Sequence, residues 1–258
     1  MKWLICLVLC FCSTYLPAKI SSVTTAPQKT QLLVVTEDLW PFNYAENNQI
    51  KGSATKLVKR LLAKAEMDYT LALLPWARSY QMALTKPNVM IYTINHTAAR
   101  HDQFHWITHI PVKVESNFYA LADHKLAPQT KDSIKQLRIA ALIDSVNDAF
   151  LVRNKFEKVS RVSRITQSVG MLKRGRVDLV ISSENAILHA IRQNGLTRHD
   201  IVKIGTAFSS KPAIAMSLQT PKTTVDKLRK VAQALHKSQG LCKIMEIAPA
   251  DCIKVEKL

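Results

Sequence analysis

Apolar and polar positions alternate between two rhythms along this chain. Residues 31–36 hold a continuous run, Leu32-Leu33-Val34-Val35, closed by polar neighbours, which is the pattern of a strand buried on both faces. Over 52–65 the period lengthens: Leu57, Val58, Leu61 and Leu62 share one helical face while Lys56, Lys59, Arg60 and Lys64 take the other. The same reading predicts strands at 69–74 and 89–94, with a short helix at 78–84 stopped by Pro87 between them. The pattern then restarts, with strands at 117–121 and 137–142, helices at 145–156 and 165–173, a buried strand at 177–181 and a helix at 186–192. A returning strand at 213–218 and a long helix at 223–238, stopped by Gly240, complete it. Strands alternating with helices imply an α/β architecture with right-handed crossovers, and the restart implies two lobes.

The first residues break this pattern. Lys2 precedes an apolar run over 3–12 and then Leu16-Pro17-Ala18, the layout of a secretory signal with cleavage after Ala18. The run is too short to span a bilayer, which takes about 20 residues. Of the 5 cysteines, Cys6, Cys10 and Cys12 leave with such a signal, so Cys242 and Cys252 are expected to pair as a disulfide in an exported chain. Charge is the compositional outlier: 36 Lys and Arg against 19 Asp and Glu give +17. The densest stretch runs from Arg153 to Arg176, and it lacks the interleaved aromatics of a nucleic-acid stacking surface, so no nucleic acid is expected.

Signals of catalysis are thin: no nucleophile elbow, no glycine-rich phosphate loop and no paired-cysteine metal site occurs. His101, His105 and His109 are spaced four apart, but Phe104, Trp106 and Ile107 interleave with them and Pro111 follows, so neither a continuous helix nor a metal site is expected. Three clusters carry the chemistry instead. Glu37-Asp38-Leu39-Trp40-Pro41-Phe42-Asn43-Tyr44 follows the first strand, Pro75-Trp76-Ala77-Arg78-Ser79-Tyr80 the second, and Asn95-His96-Thr97-Ala98-Ala99-Arg100 the third. Open α/β sheets bind ligands beyond the carboxyl ends of their strands, so all three should face one crevice.

Those clusters, with Gly52, the run Arg100-His101-Asp102-Gln103-Phe104-His105-Trp106 and Leu172-Lys173-Arg174-Gly175-Arg176-Val177-Asp178, resemble the periplasmic solute-binding proteins of the polar-amino-acid transport type (extracellular solute-binding family 3). The resemblance spans roughly residues 31–245. It implies the type II periplasmic binding protein fold: two lobes joined by two crossover strands, near 118–121 and 213–216, that act as a hinge. The implied division is a signal peptide at 1–18, lobe one at 19–120, lobe two at 121–208, and a return to lobe one at 209–258. The implied function is capture of a small polar, amino-acid-like solute for an ABC importer in the periplasm. The alternative is a ligand sensor that docks on a membrane signalling protein. No enzymatic activity and no cofactor is implied, and the chain is expected to be a monomer with a permease or sensor as partner. The implied ligand contacts are Trp40, Phe42, Tyr44, Trp76, Arg78, His96 and Thr97 from lobe one, with Ser145, Ser183 and Glu184 from lobe two. Amino-acid binders of the family carry an arginine carboxylate clamp where His96 aligns and an aspartate where Ser183 aligns, so the zwitterion clamp is expected to be altered at both ends.

Overall fold

The computed structural model describes residues 31–123 and 131–253, so the expected signal at 1–18 lies outside the described residues. The chain runs through β1 (Leu32–Thr36), a small hairpin of β2 (Tyr44–Glu46) and β3 (Gln49–Lys51), α1 (Ser53–Lys64), β4 (Tyr69–Leu73), α2 (Trp76–Thr85), β5 (Val89–Asn95) and β6 (Phe104–His109). It continues as β7 (Val114–Leu121), α3 (Lys131–Lys135), β8 (Ile139–Leu142), α4 (Val146–Arg153), β9 (Val159–Val162), α5 (Ile165–Lys173), β10 (Leu179–Ser183), α6 (Glu184–Gln193) and β11 (Ile201–Ser210). It ends with β12 (Pro212–Ser217), α7 (Lys222–Gln239) and α8 (Leu241–Met245).

Two five-stranded sheets result. Lobe one has the order β4-β1-β5-β12-β6 and lobe two the order β11-β7-β10-β8-β9. Within lobe one, β4, β1 and β5 run parallel, whereas β12 is antiparallel to both of its neighbours. Each sheet is covered on both faces. In lobe one, α1, α7 and α8 bury Leu57, Leu61, Leu228 and Leu241 with Tyr92 and Met216, and α2 closes the other face over Val35, Ile91 and Trp106. In lobe two, α5 and α6 pack Val169, Leu172 and Ile187 on one face, while Leu151 of α4 and Phe118 fill the other. The double cover explains why the central strands read as unbroken apolar runs.

The chain changes sheets between β6 and β7, across residues 110–113, and again at Lys211 between β11 and β12. These crossings lie side by side: Val114 is in register with Ser210, and the Ile110 amide donates to the Pro212 carbonyl at 2.8 Å. The expected hinge positions do not lie at these crossings: 118–121 falls within β7 of the second sheet and 213–216 within β12 of the first. The displacement has a clear cause. The antiparallel strands that flank the crossings, β6 and β11, carry interrupted patterns: β6 interleaves histidines with apolar residues, and β11 bulges twice against β7.

The expected disulfide is present, with Cys242 and Cys252 at a Cα–Cα distance of 5.9 Å. Just beyond it the Ile253 amide donates to the Pro111 carbonyl at 3.1 Å, so the bridge holds the tail against a crossing. Replacing both cysteines with serine should lower stability by about 2–3 kcal/mol, a fall of roughly 5–10 °C in Tm, measured by thermal unfolding in the absence of reductant.

Candidate functional site

The carboxyl ends of the parallel strands meet between the lobes, as the topology requires. A cavity of about 270 Å³ is lined there by Glu37, Asp38, Trp40, Leu74 and Trp76 from lobe one, and by Arg164, Thr166, Ala186, His189 and Gln193 from lobe two. A smaller one of about 70 Å³ adjoins it, sharing Glu37, Asp38, Trp76 and Leu142 and adding Asn95, Arg100, Ser116, Ser145, Asn147 and Ser183. Two aromatic walls and a few convergent polar groups suit a small polar solute.

Local structure aims each group. The loop after β1 is fastened to the start of α1, because the Pro41 carbonyl accepts from Ser53 N–H at 3.1 Å and the Phe42 carbonyl from Ala54 and Thr55. These carbonyls cap the helix where no side chain does. The approach is so close that a Cβ on Gly52, at φ +116, would overlap the Phe42 carbonyl. The loop thereby carries Trp40 across to His189 of lobe two, with ring centroids 6.0 Å apart and planes 4° from parallel. Trp76 opens α2 and stacks on Tyr80 at 5.6 Å. At the end of β5, Thr93 sits at φ +60, which is strained for a β-branched residue, and its hydroxyl lies 3.2 Å from that of Thr36.

Arg100 is the centre of the site. Its guanidinium packs over the rings of Tyr80 at 4.7 Å and Trp76 at 5.3 Å, and the residue is only 7% exposed. Nη2 donates to the Asp144 carbonyl of lobe two at 2.9 Å, and the Trp76 indole N–H donates to the same oxygen at 2.9 Å. Lobe one thus grips one carbonyl at the turn before α4, where Asp144 adopts φ +58. Below that turn Ser145 caps α4 by accepting from Asp148 N–H, and Asp148 in turn accepts from Arg161 at 2.9 Å. Arg100 Nη1 and Asn147 Oδ1 are buried without a hydrogen-bond partner among the described residues.

Burial first, and then the neighbouring Asp38 carboxylate, push the Glu37 carboxyl up to about 8, against the pull of Arg100. Asp38 is raised by burial and drawn back by His189 and Arg164. Between its ordinary 4.5 and about 8, Glu37 holds a proton in the folded form that the unfolded chain releases. Stability should therefore fall as pH rises through that window and level off above it. Glu37→Gln should flatten this part of the profile, measured as denaturation midpoint against pH.

The sequence-derived residues divide. Trp40, Trp76, Ser145 and Ser183 line the cleft. Phe42 packs against the core of lobe one, and Tyr44 lines a separate hollow beside Lys56 and Glu246. Arg78 is exposed on α2, and Glu184 is exposed 3.8 Å from Arg198. His96 and Thr97 line a surface depression with His101 and Asp102. The cause is the 3-10 turn Ala98–Gln103 after β5: it folds His96 onto Trp106, with centroids 4.2 Å apart, and swings Arg100 back into the cleft. Burial and nearby His101 hold the His96 imidazole below its usual range. His101 lies in that turn and His105 and His109 on β6, so the three histidines do not form one helical ridge. Arg100, Glu37, Asp38 and Arg164 were legible only as members of their clusters.

No family model and no curated protein matches the chain. Solved structures do. A histidine kinase sensor domain described as similar to periplasmic binding proteins aligns with a TM-score of 0.71 at 15% identity, over 88% of this chain and 98% of that one. The holo arginine-binding protein of T. maritima aligns at 0.68 and 22% identity, over 81% and 91%. ArtJ of Geobacillus stearothermophilus, an arginine-, lysine-, histidine-binding protein, aligns at 0.70 and 15%, over 84% and 94%. The chain has the two-lobed periplasmic binding protein fold. At these identities the likeness speaks for architecture, and the chemistry must come from the cleft itself.

Proposed function

We propose that this protein captures a small, carboxylate-bearing, amino-acid-like solute between its lobes and signals occupancy by hinge closure. The observation that carries the reading is Arg100: a buried guanidinium facing the cleft with Nη1 unpartnered, already bonded to the opposite lobe through Nη2. Such a donor suits a ligand carboxylate, and the amino end of α4 at Ser145–Asn147 adds partial positive charge nearby. Asp38 and the acceptor of Asn147 are the partners for a ligand amine, in place of the aspartate that Ser183 replaces. Ligand contacts on both lobes favour the closed form over the open one, which is how binding becomes a shape change.

We place the protein in the periplasm as the solute-binding partner of an ABC importer. The second reading, a sensor docked on a membrane signalling protein, is favoured by the near-complete overlap with a histidine kinase sensor domain. Solute capture is common to both readings. Its test is a thermal-shift screen of amino acids, their decarboxylated amines and simple organic acids. A ligand at 100 times its Kd should stabilise by about 2.7 kcal/mol. The expected hits carry a carboxylate; a panel in which only amines stabilise the protein overturns the assignment of Arg100.

A further inference from the structure

The eight basic residues between Arg153 and Arg176 form one run in sequence and two groups in space. Arg161 pairs with buried Asp148, and Arg164 lines the cleft. Five of the other six go elsewhere. Strands β8, β9 and β10 run parallel, and Leu142, Ser163 and Ser182 at their carboxyl ends border the cleft, so their amino ends lie at the opposite pole of lobe two. Helices α4 and α5 start at the cleft and run back toward that pole, the eight-residue α4 over about 12 Å. Lys155 therefore follows the end of α4, Lys173 and Arg174 close α5, and Lys158 and Arg176 precede β9 and β10, whereas Arg153, on the last turn of α4, lines a groove with Tyr80, Thr97 and Arg100 of lobe one. These five are exposed, and between 153 and 176 only Glu157 carries the opposite charge.

Helix ends account for part of this, since a cation complements the carboxyl-terminal dipole. Lys173 Nζ donates to the Asn194 carbonyl at 2.8 Å, Lys158 Nζ to Gln136 at 3.0 Å, and Arg174 to Gly170 at 3.1 Å. These contacts fix the stems without cancelling the charge, and two helix ends do not call for five cations. Val152, 58% exposed, lies with Arg153 in the groove toward lobe one, while the exposed residues of 155–158 and 173–176 include no aromatic or large aliphatic side chain, so this part of the pole lacks the anchors of a tight protein interface. Charge without anchors fits an extended, fluid array of negative groups.

We infer that the distal pole of lobe two docks on an anionic lipid surface, with headgroup phosphates as the partner and the solute cleft left clear. The test is co-sedimentation of the full chain with phosphatidylcholine vesicles, with and without about one-third phosphatidylglycerol. Residues 1–18 are common to the unaltered chain and both variants, so the readout is the change in preference for the anionic vesicles between them. The expected result is a preference of at least about tenfold in 50 mM salt that collapses in 500 mM. The triple variant Lys155→Glu, Lys158→Glu, Arg176→Glu should abolish it. An equal charge change on exposed α1 of lobe one, Lys59→Glu, Arg60→Glu, Lys64→Glu, should reduce it less than about threefold. Equal losses in the two variants would mean that net charge alone drives adsorption, and the pole assignment falls. Equal partitioning of the unaltered chain to both vesicle types also overturns it. Ligand-induced thermal shift should be the same in the pole variant, so this inference and the solute reading fail separately.

Discussion

Arg100→Ala should weaken solute binding by roughly 100-fold and shift the ligand-free molecule toward an open form. Two physical effects combine. The variant removes a charged donor to the ligand, and truncating one partner of a desolvated charged hydrogen bond costs about 2–5 kcal/mol. It also removes one of two donors that reach the Asp144 carbonyl from lobe one, leaving the Trp76 indole as the other donor to that oxygen. Titration calorimetry with the carboxylate-bearing hit measures the first effect, and a larger radius of gyration in solution scattering measures the second. Arg100→Lys keeps the charge but loses the planar packing on Tyr80 and Trp76, and it should recover only part of the affinity. Arg78→Ala, on the exposed side of α2, should change affinity less than twofold. If Arg78→Ala and Arg100→Ala weaken binding equally, the ligand does not sit where the cavities are.

Gly52→Ala should be strongly destabilising, by about 3 kcal/mol or more. At φ +116 no side chain is at ease, and the added methyl would occupy the space of the Phe42 carbonyl. That carbonyl accepts from Ala54 and Thr55, so moving it uncaps α1 and loosens the loop that presents Trp40 to His189. A fall of roughly 10 °C in Tm is expected by calorimetry. Binding should weaken in parallel, because the same loop supplies Glu37 and Asp38 to the cleft. By contrast, Gly175 has open space around its Cβ position, so alanine there bears only the cost of its φ of +64.

Much of the architecture is written locally in the chain. Runs such as 32–35 and 179–181 are apolar because the middles of strands covered on both faces are buried on both sides, and α1 announces itself by a basic stripe opposite Leu57 and Leu61. The cavities open at the ends of those parallel strands, and Trp40, Trp76, Ser145 and Ser183, which stand at or next to such ends in the sequence, line them. The disulfide followed from two closely spaced cysteines. These features depend on neighbours in sequence, so a sequence carries them.

What only the tertiary structure decided depends on turns and on contacts between lobes. His96 and Arg100 stand four residues apart in one cluster, and nothing local tells which faces the cleft; the 3-10 turn after β5 decides for Arg100. Phe42 and Tyr44 follow Trp40 closely, yet the capping of α1 turns them to the core and to a different hollow. The crossings between the sheets fall at residues 110–113 and Lys211 because β6 and β11 are antiparallel strands whose partners are distant in sequence, and bulges erase their period. The basic run divided between cleft and pole because parallel strands and their helices send alternate turns of the chain to opposite ends of a lobe. Composition supplied the charge, and topology determined where it would lie.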